Sequence, residues 1–170
     1  MSMTQSNEVT PRKALRLWPG VVLAIVLVLA QYVVRPIAGD AEVFEIPLAM
    51  TAVFAGMLSA VAIIVWWMFF SRAPWSERLA ALILMIVAVL ATRLVVHESI
   101  RGGMMGMMLP VMSLPILSVA LVIWAVATRH VTNAPRRVAL VAAILLACGV
   151  FMLLRTDGVT GAGAPQFAWR

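Results

Sequence analysis

Residues 46–71 read IPLAMTAVFAGMLSAVAIIVWWMFFS, a run of 26 residues without a charged side chain. A helix needs about 20 apolar residues to cross the hydrocarbon core of a bilayer, so this run predicts a membrane-spanning helix. Four other runs are long and apolar enough, which predicts spans at about 17–36, 46–71, 79–98, 104–128 and 136–154. The expected fold is an all-α integral membrane bundle of five transmembrane helices.

The composition supports a membrane protein. Hydrophobic residues make up 64% of the 170 residues and charged residues only 12%, whereas soluble domains average roughly 45–50% apolar and 25% charged. This composition excludes a water-soluble globule and a disordered tail. The net charge of +6 is scattered between the apolar runs without a basic stripe. The expected partner is therefore the lipid bilayer and not a nucleic acid.

The positions of Lys and Arg predict the orientation, because these residues concentrate in cytoplasmic loops. With the N-terminus in the cytoplasm, eight of the thirteen lie inside, and five of the seven acids lie outside. The inside set is Arg12, Lys13, Arg16, Arg72, Arg78, Arg129, Arg136 and Arg137, and the outside set is Arg35, Arg93, Arg101, Arg155 and Arg170. We therefore expect a basic cytoplasmic segment at 1–16, a membrane domain at 17–154 and a periplasmic C-terminus, in a multi-pass protein of the bacterial inner membrane.

Other residues predict how the helices pack. Ala52, Gly56 and Ala60 form a small-residue face on the second span, which favours close helix packing. Pro110 and Pro115 are expected to remove two backbone hydrogen bonds from the fourth helix. The sequence leaves the oligomeric state open. Tryptophan and tyrosine are expected at the membrane interfaces; these are Trp18, Tyr32, Trp66, Trp67, Trp75 and Trp124.

The end of the third span carries the candidate polar site. Arg93, His97 and Arg101 recur every four residues, and Glu98 precedes Arg101 by three. Charge within a span is a functional-site hypothesis, here a quinone-binding pocket in which His97 carries a proton and Arg93 or Arg101 holds a carbonyl or carboxylate. The alternative is that Arg93 only extends its guanidinium to the headgroups. Gln31 and Arg35 are expected at the same depth.

Methionines cluster at the start of the fourth span. Thioether sulfurs are ligands for copper(I), so these residues form a weak copper hypothesis. Methionine is also an adaptable filler of apolar packing, and this interpretation is favoured because neither a neighbouring cysteine nor a repeated spacing is present. Cys148 is expected to be a small buried hydrophobe. The methionines concerned are Met104, Met105, Met107, Met108 and Met112.

The segment 155–170 reads RTDGVTGAGAPQFAWR and predicts a glycine-rich periplasmic exit linker without regular structure. Its motif TDGVTG at 156–161 and its closing FAWR at 167–170, together with LRLWPGVV at 15–22, resemble the amino-terminal membrane region of bacterial PQQ-like β-propeller proteins, a family described as related to the lipoprotein that assists outer-membrane protein assembly. In that family a large extracytoplasmic propeller follows the Trp-Arg. The layout is also similar to the five-span anchor of membrane-bound quinoprotein dehydrogenases.

The resemblance implies a membrane anchor that tethers a C-terminal extracytoplasmic propeller absent from this chain, which would then end at a domain boundary or a truncation. PQQ or a quinone is implied as cofactor by the resemblance alone, and no cofactor is expected within the chain. Two alternatives remain: a quinone-interacting electron-transfer module of a quinoprotein dehydrogenase, and a stand-alone transporter or channel subunit. No catalytic set of residues is present, so oxidoreductase activity is expected only from an attached propeller.

Overall fold

The computed structural model describes residues 17–34, 37, 42–43, 46–71, 73–96, 98–152, 154–159 and 165–169. Helices dominate this part of the chain. The helices are α1 (Trp18–Val28, continued by a π-helical segment, Leu29–Val34), α2 (Leu48–Phe69), α3 (Trp75–Val95), α4 (Glu98–Gly102, followed by a 3₁₀ turn, Gly103–Gly106), α5 (Met108–Ala127) and α6 (Asn133–Met152). The strands are β1 (Glu42–Val43), β2 (Ile46–Pro47), β3 (Leu154–Val159) and β4 (Pro165–Trp169).

Four of the described helices are long and apolar enough to cross a membrane. Their spanning segments are Met50–Phe69, Trp75–Val95, Met108–Ala127 and Ala134–Phe151, and Trp18–Val34 is a shorter apolar helix. Large apolar side chains stay exposed on the outer faces of the bundle, as at Leu58 (72% exposed) and Leu146 (73%). The prediction of a helical fold with long apolar helices is confirmed, with four helices long enough to span a membrane where the sequence predicts five. Exposed apolar faces of this size are typical of a membrane protein.

Prolines mark where several helices begin. Pro19 lies in the first turn of α1, and Pro47 and Pro74 directly precede α2 and α3. Proline suits these positions because the first backbone N–H groups of a helix have no partner within it. The fourth predicted span corresponds to α5, and the same reasoning corrects the expectation that both of its prolines remove a hydrogen bond. This helix begins at Met108, so Pro110 falls in its first turn, and only Pro115 removes a hydrogen bond from the helix interior.

The bundle has two ends with different contents. We call one the tryptophan end; there α2 and α5 finish and α3 and α6 begin. Helices α2, α3 and α5 carry Trp66, Trp67, Trp75 and Trp124 near this end. The opposite hairpin end carries α4 and the antiparallel pairs β1–β2 and β3–β4. Helix α2 packs against α1 and α5, and α6 packs against α3 and α5. The short connections place consecutive long helices antiparallel.

The small-residue face of α2 packs inside the bundle, as the sequence predicts. The side chain of Gln31 covers Gly56, so closely that a Cβ on this glycine would lie 2.4 Å from the amide nitrogen. Ala60 is fully buried, and its carbonyl accepts a hydrogen bond from the Ser118 hydroxyl of α5 at 3.3 Å. In both contacts a side chain from another helical segment lies close to the α2 backbone, and only small residues on α2 leave room for it.

Hydroxyl groups near three helix ends bond to their own helices. Ser71, Thr92 and Thr128 each donate to the carbonyl four residues earlier, over 2.6, 2.7 and 2.7 Å respectively. All three side chains are buried. A hydroxyl without a partner in an apolar interior costs free energy, so these local bonds let the polar residues enter the bundle without a partner on another helix.

The C-terminal segment differs from the expected irregular linker. Strands β3 and β4 pair antiparallel, with Leu154 opposite Trp169 and an irregularity between Thr156 and Gly158. Strand β3 begins two residues after α6 ends, and the hairpin packs against α4 and α6. The prediction that this segment lacks regular structure is wrong. Backbone groups pair in a hairpin through hydrogen bonds, and apolar periodicity is not required for that pairing.

Candidate functional site

The structure describes four of the six residues of the predicted polar site, namely Arg93, Glu98, Arg101 and Gln31. Arg93 is exposed in the last turn of α3. Its Nη2 atom lies 3.1 Å from the position that a Cβ on Gly106 would occupy, so the guanidinium lies against this glycine, whose φ is +83°. This arrangement agrees with an arginine that extends along the surface of the bundle towards the headgroups.

The other members of the predicted site are dispersed. Glu98 and Arg101 form an ion pair at 3.4 Å, but both side chains are exposed. Gln31 points towards α2, where its amide nitrogen donates to the Val53 carbonyl at 3.4 Å. His97 and Arg35 lie outside the described residues. Gln31 and the Glu98–Arg101 pair thus have separate partners, and the quinone-pocket hypothesis stays a prediction.

The methionine cluster is dispersed as well. Met105 is fully exposed, with φ at 57°, and Met107 is also exposed. Met108 is buried at 1% exposure, and Met112 packs against the apolar cluster around Phe151. The side chain of Met104 lies outside the described residues. The burial of Met108 and the packing of Met112 support the filler interpretation. The copper hypothesis stays a prediction.

The buried charges of the described chain lie at the tryptophan end. The Nη2 atom of Arg136 in α6 lies 3.3 Å from the Oε2 atom of Glu77 in α3, with side-chain exposures of 5% and 6%. Both residues lie in the first turns of their helices. Removing two charges from water is costly, and mutual attraction offsets that cost only while both partners are present. The pair therefore links α3 to α6 through opposite charges.

Trp124 connects this ion pair to the rest of the bundle. Its indole Nε1 donates to the Arg136 carbonyl at 2.8 Å, and its ring lies 4.9 Å from the guanidinium carbon of Arg136. The ring also contacts Trp67 edge-on, with centroids 5.6 Å apart, and Trp67 lies 6.1 Å from Trp66. Helices α2, α3, α5 and α6 thus meet in one cluster of three indoles and two opposite charges.

The connection between α2 and α3 is fixed beside this cluster by Arg78. Its Nε donates to the Ala73 carbonyl at 2.7 Å, and its Nη1 donates to the Met68 carbonyl at the end of α2. The guanidinium carbon lies 5.0 Å from the centroid of the Trp75 ring. Arg78 is therefore a structural residue that satisfies loop carbonyls.

The burial of Trp66, Trp67 and Trp124 corrects the expectation that these residues mark the membrane interface. All three are less than 5% exposed, whereas Trp18 and Trp75 are exposed as expected. The indole nitrogens of Trp66 and Trp67 have no hydrogen-bond partner among the described residues. These two rings contribute packing area, and Trp66 fills the space above Gly20 in α1.

One signal in the sequence points to the ion pair. Glu77 is the single acid within the two basic connections at 70–78 and 128–137. An acid in such surroundings indicates a specific partner, but the spacing along the chain does not reveal which arginine it meets. Cys148 is buried and not disulfide-bonded, as expected. Among the described residues, no three His, Cys, Asp or Glu side chains group as metal ligands.

Neither the family models, the curated proteins nor the solved structures contain a match to this chain. The resemblance to propeller-linked membrane regions therefore stays an expectation from two short motifs, one near each end of the chain. A helical bundle by itself does not specify a function, whereas the packing of its helices and the placement of its polar groups restrict what the bundle can do.

Proposed function

We propose that this chain is a multi-pass membrane anchor that tethers an extracytoplasmic domain at its hairpin end. The observation that carries the proposal is the hairpin β3–β4. It begins two residues after α6 and packs against α4 and α6, so the extramembrane segment is held close to the bundle. A domain attached there would be oriented relative to the membrane.

The buried polar groups also favour an anchor over a transporter. The hydroxyls of Ser71, Thr92 and Thr128 bond within their own helices, and Glu77 pairs with Arg136. A transport pathway requires polar groups that face a shared cavity near the middle of the membrane. These four sets of polar groups instead join helices or satisfy local backbone atoms.

The proposed orientation places the tryptophan end in the cytoplasm and includes α1 as a fifth span. It is supported by the excess of Lys and Arg in the connections on that side. Single cysteines at Ser2, Asn133 and Gly163, in a Cys148→Ser background, test the orientation. In intact cells an impermeant maleimide should label position 163 and leave positions 2 and 133 unlabelled. Labelling of position 133 from outside would overturn the orientation.

A reporter fusion tests the anchor itself. Alkaline phosphatase joined after Arg170 should be active in the periplasm and should stay in the membrane fraction after a carbonate wash. The matched control carries the same enzyme after Thr132, in the connection between α5 and α6, where it should be inactive. Release of the first fusion by carbonate, or activity of the second, would contradict the anchor proposal.

We further propose, on the resemblance alone, that the tethered domain is a PQQ-like β-propeller. The coding sequence downstream of Arg170 tests this step directly. Repeated blades with tryptophan-containing motifs are expected there. A different folded domain would leave the anchor in place and remove the propeller, together with the PQQ and oxidoreductase activity that the resemblance implies.

A further inference from the structure

We propose that the surface of the tryptophan end binds the phosphate headgroups of anionic phospholipids through Arg129 and Arg137. Both side chains are exposed, and neither forms an ion pair with a described residue. This binding surface is independent of the anchor function and of the identity of any attached domain.

The burial of Glu77 produces the charge of this surface. Glu77 is the acid of the described tryptophan end, and its carboxylate is turned into the bundle against Arg136. The acid therefore neutralises the buried Arg136. Arg129 and Arg137 have no neutralising neighbour on the described surface. Phosphate is a suitable partner for arginine, because the planar guanidinium can donate two parallel hydrogen bonds to it.

The depth of the two arginines fits a headgroup and not a dissolved anion. Arg129 lies two residues beyond the end of α5, and Arg137 is the fifth residue of α6. The apolar segment of α5 ends at Ala127, and that of α6 begins at Ala134, three residues before Arg137. Both arginines therefore lie at the boundary of a span, where the phosphates of the leaflet are concentrated. The exposed indoles of Trp18 and Trp75 mark the same interface.

Arg78 is not available for the same purpose. Its Nε and Nη1 groups already donate to the carbonyls of Ala73 and Met68, and its guanidinium lies over the Trp75 ring. At the hairpin end, Arg101 is paired with Glu98 on the surface. Arg101 therefore provides a matched control, since its replacement removes the same positive charge from the opposite end of the bundle.

The experiment uses the full chain in phosphatidylcholine vesicles that contain spin-labelled phosphatidylglycerol or spin-labelled phosphatidylcholine as the probe. Electron paramagnetic resonance reports the fraction of each probe that is immobilised by the protein. We expect the protein to immobilise phosphatidylglycerol in several-fold preference to phosphatidylcholine at low salt. The substitutions Arg129→Gln and Arg137→Gln should each lower this preference, by about fivefold at most. The variants Arg129→Lys and Arg137→Lys should keep most of the preference, and Arg101→Gln should keep all of it.

The source of the phosphate is tested by competition. Inorganic phosphate should displace the labelled lipid no more than sodium chloride at equal ionic strength, because both then act only by screening. Stronger displacement by phosphate would identify a site for a dissolved anion and overturn the lipid proposal. Equal binding of the two probes, or an equal loss of preference in Arg101→Gln, would also overturn it. Circular dichroism of each variant checks that the helices are intact.

Discussion

The two ends of the bundle use charge in opposite ways. At the tryptophan end, Glu77 and Arg136 are buried together against three indoles. At the hairpin end, Glu98 and Arg101 form an exposed pair, and Arg93 lies on the surface against Gly106. Attraction between charges weakens strongly where water or salt reaches them. The tryptophan end therefore depends on its charges for packing, whereas the hairpin end does not.

This difference explains why an intramembrane arginine is a weak indicator of a site by itself. Arg93 lies well inside the predicted span 79–98, yet its side chain is exposed. Arg136 is the first residue of the predicted span 136–154, yet it is among the most buried polar residues. The residues that surround a charge in the fold indicate its role better than its position within a predicted span does.

The largest expected effect is at the buried ion pair. The substitution Arg136→Met leaves the Glu77 carboxylate buried without its partner and should lower the free energy of unfolding by about 3–5 kcal/mol. The double variant Glu77→Gln with Arg136→Met should recover most of this loss, because neither charge then remains. Arg137→Met, at the exposed neighbouring position, is the control. Unfolding in mixed detergent micelles measures all three, and a double variant as unstable as the single one would refute the pairing.

A smaller loss is expected where α1 contacts the tryptophan cluster. A Cβ at Gly20 would lie 2.4 Å from the Trp66 ring, which is itself buried and cannot move aside easily. Gly20→Ala should therefore destabilise the bundle by about 1–3 kcal/mol through overpacking. Gly149→Ala is the matched control, because nothing lies within 4 Å of its added Cβ. Equal stability of the two variants would show that α1 does not pack on Trp66.

Trp124 tests the hydrogen bond between α5 and α6. Trp124→Phe keeps an aromatic ring but loses the donor to the Arg136 carbonyl, so a loss of about 1–2 kcal/mol is expected. Trp75→Phe, on the exposed surface, should change the free energy of unfolding by much less. Equal effects of the two substitutions would show that the hydrogen bond from Trp124 does not stabilise the contact between α5 and α6.

The smallest effects are expected at the hairpin end. Glu98→Gln and Arg101→Gln should each change stability by less than about 1 kcal/mol, because exposed ion pairs contribute little. Arg93→Leu should also leave the bundle intact. The quinone-module hypothesis predicts in addition that Arg93→Leu abolishes the binding of a quinone analogue. We expect no such loss, and specific binding by the unaltered chain that disappears in this variant would restore that hypothesis.

The long helices can be predicted from the sequence because each depends only on its own run of apolar residues. A continuous apolar run must satisfy its backbone groups internally in a bilayer, which selects a helix. The predicted spans 46–71, 79–98, 104–128 and 136–154 accordingly agree with α2, α3, α5 and α6 to within a few residues. The first run also forms a helix, but Trp18–Val34 is shorter than the other four.

The contacts of the candidate site could not be predicted from the sequence, because they depend on how separate helices pack. Whether Glu77 meets Arg136 depends on how α3 packs against α6, and no pattern within either helix specifies this contact. The same is true of Trp66 and Trp124, whose ring chemistry suits an interface as well as a packed core. The hairpin β3–β4 was missed for a different reason, since its backbone pairing has no signature in apolar spacing.

The distance between Glu77 and Arg136 along the chain also orders events during synthesis. Arg136 follows Glu77 by 59 residues, and ribosomes add roughly 5–20 residues per second. Glu77 is therefore made roughly 3–12 s before its partner. The hydroxyls of Ser71, Thr92 and Thr128 need no such delay, because each bonds within the helix that carries it. Each long helix can therefore form with these hydroxyl bonds already made, and the ion pair is the interaction that must wait for α6.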